Sequence, residues 1–163
     1  MGYRSDVAIS VYQKDFNELC NRIKNHTIEN ADTRSELASL LKWATIDIIQ
    51  DEDDHDKSIV TLIFESIKWY EGFKDIDYLM AFLHEDGRCY SFKRIGESSD
   101  DYEEECDDSY ELNDFTYLER YFGRCCQGDV ISDNEKNNLL GLEDDTKDGE
   151  SVDAGMNFDD IGG

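Results

Sequence analysis

Carboxylates are the residues of this sequence whose number and spacing could do chemistry. The stretch RIGESSDDYEEECDDSYELNDF, residues 94–115, holds one arginine and then ten acidic residues with no further cation. A second acidic run, DEDDHD, occupies residues 51–56. Dense carboxylates can bind a metal ion, serve as general acids and bases, or form a negative surface that attracts a basic partner. Each of these uses requires a different spacing, so the sequence can discriminate among them.

Neither of the two acidic stretches that come nearest to a calcium loop, from Asp144 and from Asp51, has the spacing of a dedicated metal site. An EF-hand loop needs acids at positions 1, 3 and 5, glycine at position 6 and glutamate at position 12. A loop beginning at Asp144 has Thr146 at the third position and Gly155 at the twelfth, and a loop beginning at Asp51 lacks both the glycine and the glutamate. The cysteines and histidines are not at zinc-chelating spacings either. We therefore predict no metal site and no cofactor.

Motifs of known enzyme classes are also missing from the sequence. It contains no phosphate-binding glycine loop, no nucleophile elbow and no HExxH. His55 lies between Asp54 and Asp56, but any histidine in so acidic a chain has acidic neighbours, so this pairing carries no information. Asp47 and Glu65 could imitate the strand-end acids of a two-metal nuclease, yet that enzyme would have to bind DNA with a surface that repels it. We predict that the protein is not an enzyme.

The charge of the chain is extreme and unevenly placed. The net charge is −24, and residues 94–163, with five basic and twenty-two acidic residues, hold −17 of it. No basic stripe is present that could release counterions from phosphates, which argues against nucleic acid as a direct ligand. We find no signal peptide, no apolar run of membrane-spanning length and no disulfide-scaffold spacing, so we expect a cytoplasmic protein with reduced thiols. The expected partner is a basic protein surface.

Hydrophobic periodicity predicts the elements that position these acids. In chain order they are a strand over 5–12, a helix over 14–25, a helix over 33–44, a strand over 58–70, a helix over 74–87 and a strand over 88–96. Thr33 and Glu36 fit a capping box, and Gly87 is expected just after the third helix. Residues 45–50 fit either a strand or the end of the second helix. Taken as a strand, they give the order of a ferredoxin-like split βαβ sheet, an α+β fold, with an added helix.

The acidic C-terminal region is predicted to be partly ordered. In ELNDFTYLERYFG, residues 111–123, the apolar residues lie near one helical face, with Asp108 and Glu111 as a cap-like start and Gly123 as a stop. We therefore predict one domain over residues 1–128, which includes an acidic segment over 97–122. Residues 129–163 are rich in Asn, Asp, Gly and Glu, which predicts an acidic and largely disordered tail.

Three short motifs carry a resemblance. The opening MGYRSDV, the IKWY of residues 67–70 and the RIGESSDD of residues 94–101 resemble a set of short proteins of phages and prophages. The resemblance covers about residues 1–105 and implies a small α+β fold and a viral or prophage origin. It implies no activity and no catalytic residues. The acid-rich region departs from this set, and its charge is similar in character to that of DNA-mimic anti-defence proteins.

Aromatic residues are interleaved with the acids of the segment over 97–122. They are Tyr102, Tyr110, Phe115, Tyr117, Tyr121 and Phe122. Disordered acidic segments are poor in aromatics, so this composition predicts a segment that packs on the body and holds its carboxylates in place. Two interpretations stay open at this point: an acidic loop that serves solubility only, and a surface that mimics the charge of nucleic acid.

We predict a non-enzymatic, phage-type inhibitor that blocks the basic nucleic-acid groove of a bacterial defence protein, such as a CRISPR effector, a restriction enzyme or another nuclease. The alternative is an adaptor that binds its partner through an apolar patch and regulates host nucleic-acid enzymes through its acidic tail. The predicted partner-binding residues are acids and tyrosines of the two acidic stretches. They are Glu97, Asp100, Asp101, Tyr102, Glu103, Glu104, Glu105, Asp107, Asp108, Tyr110, Glu111 and Asp114, together with Asp51, Glu52, Asp53, Asp54 and Asp56.

Overall fold

The structure is a computed structural model that describes residues 2–116 and 128–142. These residues form a mixed α/β fold with six strands and four α-helices. In chain order the elements are β1 (Ser5–Tyr12), α1 (Gln13–Lys24), α2 (Ala31–Trp43), β2 (Thr45–Ile49), β3 (Ile59–Ile67), α3 (Lys74–Leu83), β4 (Tyr90–Gly96), β5 (Tyr102–Cys106), β6 (Asp129–Val130) and α4 (Asp133–Leu140). Two 3-10 turns lie at His55–Lys57 and Asn113–Phe115.

The six strands form one sheet in the order β5-β4-β1-β3-β2-β6, in which all neighbouring pairs are antiparallel. β1 and β2 are linked by α1 and α2 and have β3 between them. β3 and β4 are linked by α3 and have β1 between them. β5 and β6 add one edge each, so the acid-rich C-terminal region supplies both edges of the sheet.

One face of the sheet packs against the helices. Alternate residues of β1, namely Val7, Ile9 and Val11, are buried in this core. The predicted apolar face of α1, which includes Phe16 and Ile23, lies in the same core. Full burial of one such side chain contributes about 1.5–3 kcal/mol, which makes this layer the main source of stability.

The strands and helices predicted from periodicity are present, with shifts at their ends. Residues 45–49, for which two interpretations were open, form a strand that pairs with β3. α3 ends at Leu83, and Gly87, with φ of 84°, lies in the turn that follows rather than directly after the helix.

The predicted start of α2 is wrong. The helix begins at Ala31, because the side chain of Asn30 accepts a hydrogen bond from the N–H of Thr33 at 2.9 Å and caps the first turn. Thr33 and Glu36 therefore lie inside the helix and do not form a capping box. An asparagine cap carries no hydrophobic signal, so apolar spacing alone misses it.

Residues 129–142, which we expected in the tail, form β6 and α4. The N–H of Ile131 donates to the carbonyl of Ile46 at 2.9 Å, which ties this segment to β2. A capping box between Ser132 and Glu135 starts α4, and Gly141 in the left-handed conformation ends it. The folded body therefore extends past residue 128, and residues 143–163 of the predicted tail lie outside the described residues.

A buried lysine fixes α4 against α2. Lys136 is only 6% exposed, and its ammonium donates to the carbonyls of Lys42, at 3.0 Å, and Ala44 at the C-terminal end of α2. A cation at a helix C-terminus is stabilised by the helix dipole. Burial lowers the pKa of Lys136 from its ordinary value.

An ion-pair cluster with a buried centre joins α1 to the turn after α3. The guanidinium of Arg88 donates to Asp15 at 2.8 Å, to Glu18 at 2.8 Å and to Glu85 at 2.7 Å. It also lies over the ring of Phe82, 3.9 Å from the ring centroid. The side chains of Arg88 and Asp15 are 9% and 6% exposed, so this pair is nearly removed from water.

A second arginine completes the cluster. Arg22 donates to Glu18 at 2.5 Å and to Glu85 at 2.9 Å. The pKa of Glu18 is lowered chiefly by its hydrogen bond from Arg88, and the pKa of Glu85 chiefly by its hydrogen bond from Arg22. Both carboxylates therefore stay ionised at neutral pH and hold the two arginines in place.

We expect the substitution Arg88→Met to lower the free energy of unfolding by about 3–5 kcal/mol, because it leaves the buried Asp15 carboxylate without its ion-pair partner. Urea denaturation followed by circular dichroism measures this loss. Lys74→Met is the matched control, since the Lys74–Asp32 pair is 3.8 Å apart and exposed, and such pairs contribute about 0–1 kcal/mol. A loss at Arg88 no larger than that of the control would contradict this account of the cluster.

Candidate acidic interface

The acidic stretch begins as an ordered edge strand. β5 pairs with β4 in a register that sets Arg94 opposite Glu103, Lys93 opposite Glu104 and Phe92 opposite Glu105. The sequence analysis missed this strand, because Tyr-Glu-Glu-Glu-Cys lacks apolar alternation and glutamate is depleted in strands. The signal that could have indicated it is the pair Lys93 and Arg94 in β4, which needs acidic partners on a neighbouring strand.

Cations of β4 neutralise part of β5 and hold it in place. Arg94 donates to Glu103 at 2.5 Å and to Asp101 at 2.6 Å, and its side chain is 14% exposed. The ammonium of Lys93 lies 3.5 Å from the carboxylate of Glu104. Opposite charges directly across a strand pair contribute about 0.2–1 kcal/mol each. The acids of β5 are therefore fixed by cross-strand contacts and do not form a loose loop.

Acids at the two ends of β5 are held by further hydrogen bonds. Before the strand, Asp101 accepts from the hydroxyl of Tyr3 at 2.6 Å, and Glu97 accepts from the N–H of Arg4 at 2.7 Å. Asp100, between them, is exposed. These contacts tie the turn before β5 to the N-terminus.

After the strand, Asp107 accepts from the N–H of Tyr90 at 3.0 Å and from the hydroxyl of Ser109 at 2.5 Å. Burial alone would raise the pKa of Asp107, but these hydrogen bonds lower it overall. Glu111 accepts from the hydroxyl of Tyr12 at 2.6 Å, and desolvation together with this carboxylate raises the pKa of Tyr12.

The chain then crosses the face of the sheet that the helices leave open. Leu112 is fully buried there, and the hydroxyl of Thr116 donates to Ser10 of β1 at 2.8 Å. The ammonium of Lys93 donates to the carbonyl of Asn113 at 3.3 Å. The acidic segment is thus packed on the body as far as residue 116.

The helix predicted over 111–123 does not start where we expected. Residues 111–116 form a turn and a 3-10 turn, and Asp108 and Glu111 do not cap an α-helix. Glu111 instead accepts from Tyr12, a contact between residues far apart in sequence. The remainder of that predicted helix, and the side chain of Asp114, lie outside what the structure describes.

The second acidic run forms the loop between β2 and β3. Asp51 accepts from the N–H groups of Asp53 and Asp54 at 3.0 and 3.2 Å, and Asp54 accepts from the N–H of Asp56 at 3.1 Å. These contacts fold the loop tightly, and its residues from Glu52 to Asp56 are exposed.

The structure divides the predicted surface into three parts. Asp107, Asp108 and Glu111 lie at the same end of the sheet as the loop over 51–56, because Tyr12 at the end of β1 pairs with Ile59 and also contacts Glu111. The acids of β5 line one edge. Glu97, Asp100 and Asp101 lie at the opposite end, where Ser5 pairs with Gly96.

A groove runs beside β5 on the helix side of the sheet. Trp69 and Phe92, whose ring centroids are 5.9 Å apart, and Met80 of α3 contribute its apolar wall. Glu103 and Glu105 of β5 line the other side, and His84 Nε2 lies 2.7 Å from Glu105 Oε1. Sequence analysis did not select Trp69 or His84 as partner-binding residues, since Trp69 entered it only through the IKWY of the resemblance and His84 belongs to no motif.

The two predicted tyrosine anchors are both available for contact. Tyr102 is 50% exposed and Tyr110 is 66% exposed. Tyr110 also has φ of 59°, the left-handed region that non-glycine residues seldom adopt. An exposed aromatic residue held in an unfavourable backbone conformation contributes little to stability and is suited to contact a partner.

A second apolar surface lies around the C-terminal end of α2. Trp43 at the end of α2 is 69% exposed, Phe73 before α3 is 42% exposed and Leu142 after α4 is 41% exposed. Trp43 lines a cavity with Phe73 and another with Leu142, so it joins the two into one patch. We call these three residues the Trp43 patch.

Comparisons with protein-family models, with curated proteins and with solved structures found no match to this chain. Among residues 2–116 and 128–142, no three His, Cys, Asp or Glu side chains are grouped as metal ligands. In the same part of the chain, no helix is long and apolar enough to cross a membrane. The features of the described residues that bear on function are the acidic edge strand β5, the groove beside it and the Trp43 patch.

We expect Tyr110→Asn to leave the free energy of unfolding unchanged or to raise it by up to about 1 kcal/mol, because asparagine tolerates the left-handed conformation better than tyrosine. Chemical denaturation measures the change. Tyr3→Phe is the comparison, since it removes the hydroxyl that donates to Asp101 and accepts from the N–H of Ser98, and it should destabilise. A loss above 1 kcal/mol for Tyr110→Asn would show that Tyr110 serves the fold.

Proposed function

We propose that the protein is a non-enzymatic inhibitor, of phage type, that acts in the cytoplasm of a bacterial host. It mimics the charge of nucleic acid and occupies the basic DNA- or RNA-binding groove of a defence protein, such as a CRISPR effector, a restriction enzyme or another nuclease. Carboxylates take the place of phosphates, and exposed tyrosines add apolar contacts.

The observation that carries the proposal is the fixed run of glutamates in β5. A strand rises about 3.4 Å per residue, and each strand of duplex DNA carries one charge per about 3.4 Å of axis. Along the backbone, the consecutive residues Glu103, Glu104 and Glu105 therefore repeat at the rise of the phosphates of one DNA strand. Adjacent side chains point to opposite faces, so Glu103 and Glu105 share the helix side at a spacing of about 6.8 Å and Glu104 lies on the other face. Their cross-strand contacts with β4 mean that little ordering is needed on binding.

The fold offers a rigid support for such a surface. We propose that β1 to β4 and their helices form a ferredoxin-like split βαβ unit, which the strand order β4-β1-β3-β2 supports. β5 is then an addition to that unit at its β4 edge. A carboxylate surface on an added edge strand can vary in charge without altering the core.

The Trp43 patch supports a second candidate function. An adaptor would bind its partner through this patch, and its acidic tail would regulate access to host nucleic-acid enzymes. Trp43 is the most exposed of the large apolar side chains in the described part of the chain, and aromatic residues are favoured as interface anchors.

We expect the immobilised protein to capture DNA- or RNA-groove proteins from bacterial lysate, and added duplex DNA to release them. A triple variant of β5 should reduce capture by at least about tenfold, because close charge pairs at an interface are strongly coupled. It combines Glu103→Gln, Glu104→Gln and Glu105→Gln. The matched control combines Glu29→Gln, Glu36→Gln and Asp86→Asn, which change the net charge equally at exposed positions away from β5.

Capture should also weaken as the salt concentration rises, because exposed charge pairs are screened. The proposal is contradicted if the β5 variant and the control capture equal amounts, or if strong capture is identical at low and high salt.

We expect Trp43→Ala to leave the capture of these proteins unchanged under the first proposal. Under the adaptor proposal the same substitution removes the aromatic anchor and abolishes capture. Quantitative mass spectrometry of the captured proteins distinguishes the two, with Phe73→Ala as a second variant of the same patch. Loss of capture in both variants, with the β5 variant still active, would favour the adaptor.

A further inference from the structure

We propose that the outer edge of β5 binds an extended strand of the partner protein that carries lysine or arginine, and that this strand joins the sheet. The inference rests on the proposed function, in that both require a basic partner. It goes further by naming the mode of binding, which is backbone pairing at a sheet edge with basic side chains on both faces.

The hydrogen-bond pattern between β4 and β5 shows which backbone groups face outward. The N–H of Gly96 donates to the carbonyl of Asp101 at 2.9 Å, and the N–H of Asp107 donates to the carbonyl of Tyr90 at 3.2 Å. Bonded and non-bonded pairs alternate along an antiparallel ladder. From Asp101 to Asp107, therefore, the backbone groups of every second residue form hydrogen bonds with β4, and those of the residues between them do not.

Applied to β5, this alternation directs the N–H and C=O groups of Glu103 and Glu105 toward β4. The same groups of Tyr102, Glu104 and Cys106 point away from the sheet. β5 is the first strand in the sheet order, and its residues 102–105 are exposed. The backbone of these three outward residues is therefore a template for one more strand.

The glutamates of β5 select which strand can be added. Like charges directly opposite one another destabilise a strand pair, so pairing of two copies of this chain through β5 is disfavoured. A strand with lysine or arginine at those positions reverses the sign of the interaction. The edge is therefore protected against self-association and open to a basic segment. The negative charge of its glutamates also disfavours the binding of DNA at this edge.

Both faces of β5 offer a site for a long basic side chain. On the helix side, Glu103 and Glu105 border the groove whose wall includes Trp69 and Phe92. On the other face, Glu104 lies beside the half-exposed ring of Tyr102. Lysine and arginine lay an aliphatic stem along an apolar surface while the charged head meets a carboxylate, and arginine also stacks on aromatic rings.

The test uses the 163-residue chain labelled with nitrogen-15 and a blocked nine-residue peptide of alternating lysine and valine. Binding should slow hydrogen exchange at the outward N–H groups of Tyr102, Glu104 and Cys106 by at least about tenfold, because they become hydrogen-bonded. The N–H groups of Glu103 and Glu105 should already exchange slowly in the free protein. A peptide with proline in place of valine keeps the charge but cannot pair as a strand, and should bind at least about tenfold more weakly.

Two variants at one position separate backbone pairing from charge. Glu104→Pro removes an outward N–H without removing a bond to β4, and should weaken peptide binding by about tenfold. Glu104→Gln removes the charge, keeps the N–H, and should weaken binding by no more than about threefold, as for an exposed charge pair. Slow exchange at Glu103 and Glu105 in the free proline variant verifies that β5 is still folded. The comparison of the two peptides on the unaltered chain does not depend on any variant.

Equal binding of the two peptides, or no protection of the outward N–H groups, would overturn the inference. Neither result bears on capture from lysate and its release by DNA, which tests the proposed function separately. If the lysine-valine peptide binds as expected and lysate capture fails, strand addition stands and the defence-protein proposal falls.

Discussion

The pairing of Arg94 with Asp101 and Glu103 is the interaction on which the acidic surface depends. A strand with three consecutive glutamates has no apolar face to bury, and its like charges repel one another. Arg94 and Lys93 on β4 lie opposite these acids and offset part of that repulsion. The contact converts a stretch of poor strand formers into an ordered edge, and the spacing of its charges follows from the geometry of the strand.

Holding the acids in this way has a consequence for binding. Carboxylates on a disordered chain lose conformational freedom when a partner orders them, whereas those of β5 are already positioned. Residues 97–111 hold nine acidic residues, and the two cations of β4 pair with three of them, so the surface keeps a large negative charge. The surface can therefore attract a basic protein over a distance and also present fixed contacts once it arrives.

The body of the fold could be predicted from the sequence because its elements follow apolar periodicity. β1, α1 and α3 each bury one regular face, and that regularity is local. β5, α4 and the asparagine cap of α2 were not predicted, because their signals are long-range or polar. From sequence alone a lysine such as Lys136 is expected in solvent, but its ammonium contacts the C-terminal end of α2. Glu111 was predicted as a helix cap, but it accepts a hydrogen bond from Tyr12.

The central claim, that a fixed acidic edge replaces nucleic acid on a basic partner, is tested most directly by equilibrium titration. The dissociation constant of a captured partner should be measured over a series of salt concentrations, for this protein and for duplex DNA. We predict that affinity for the protein falls with salt along a shallower line than affinity for DNA, because apolar contacts are not screened. Affinity that is independent of salt, or simultaneous binding of the protein and DNA to the partner, would contradict the account.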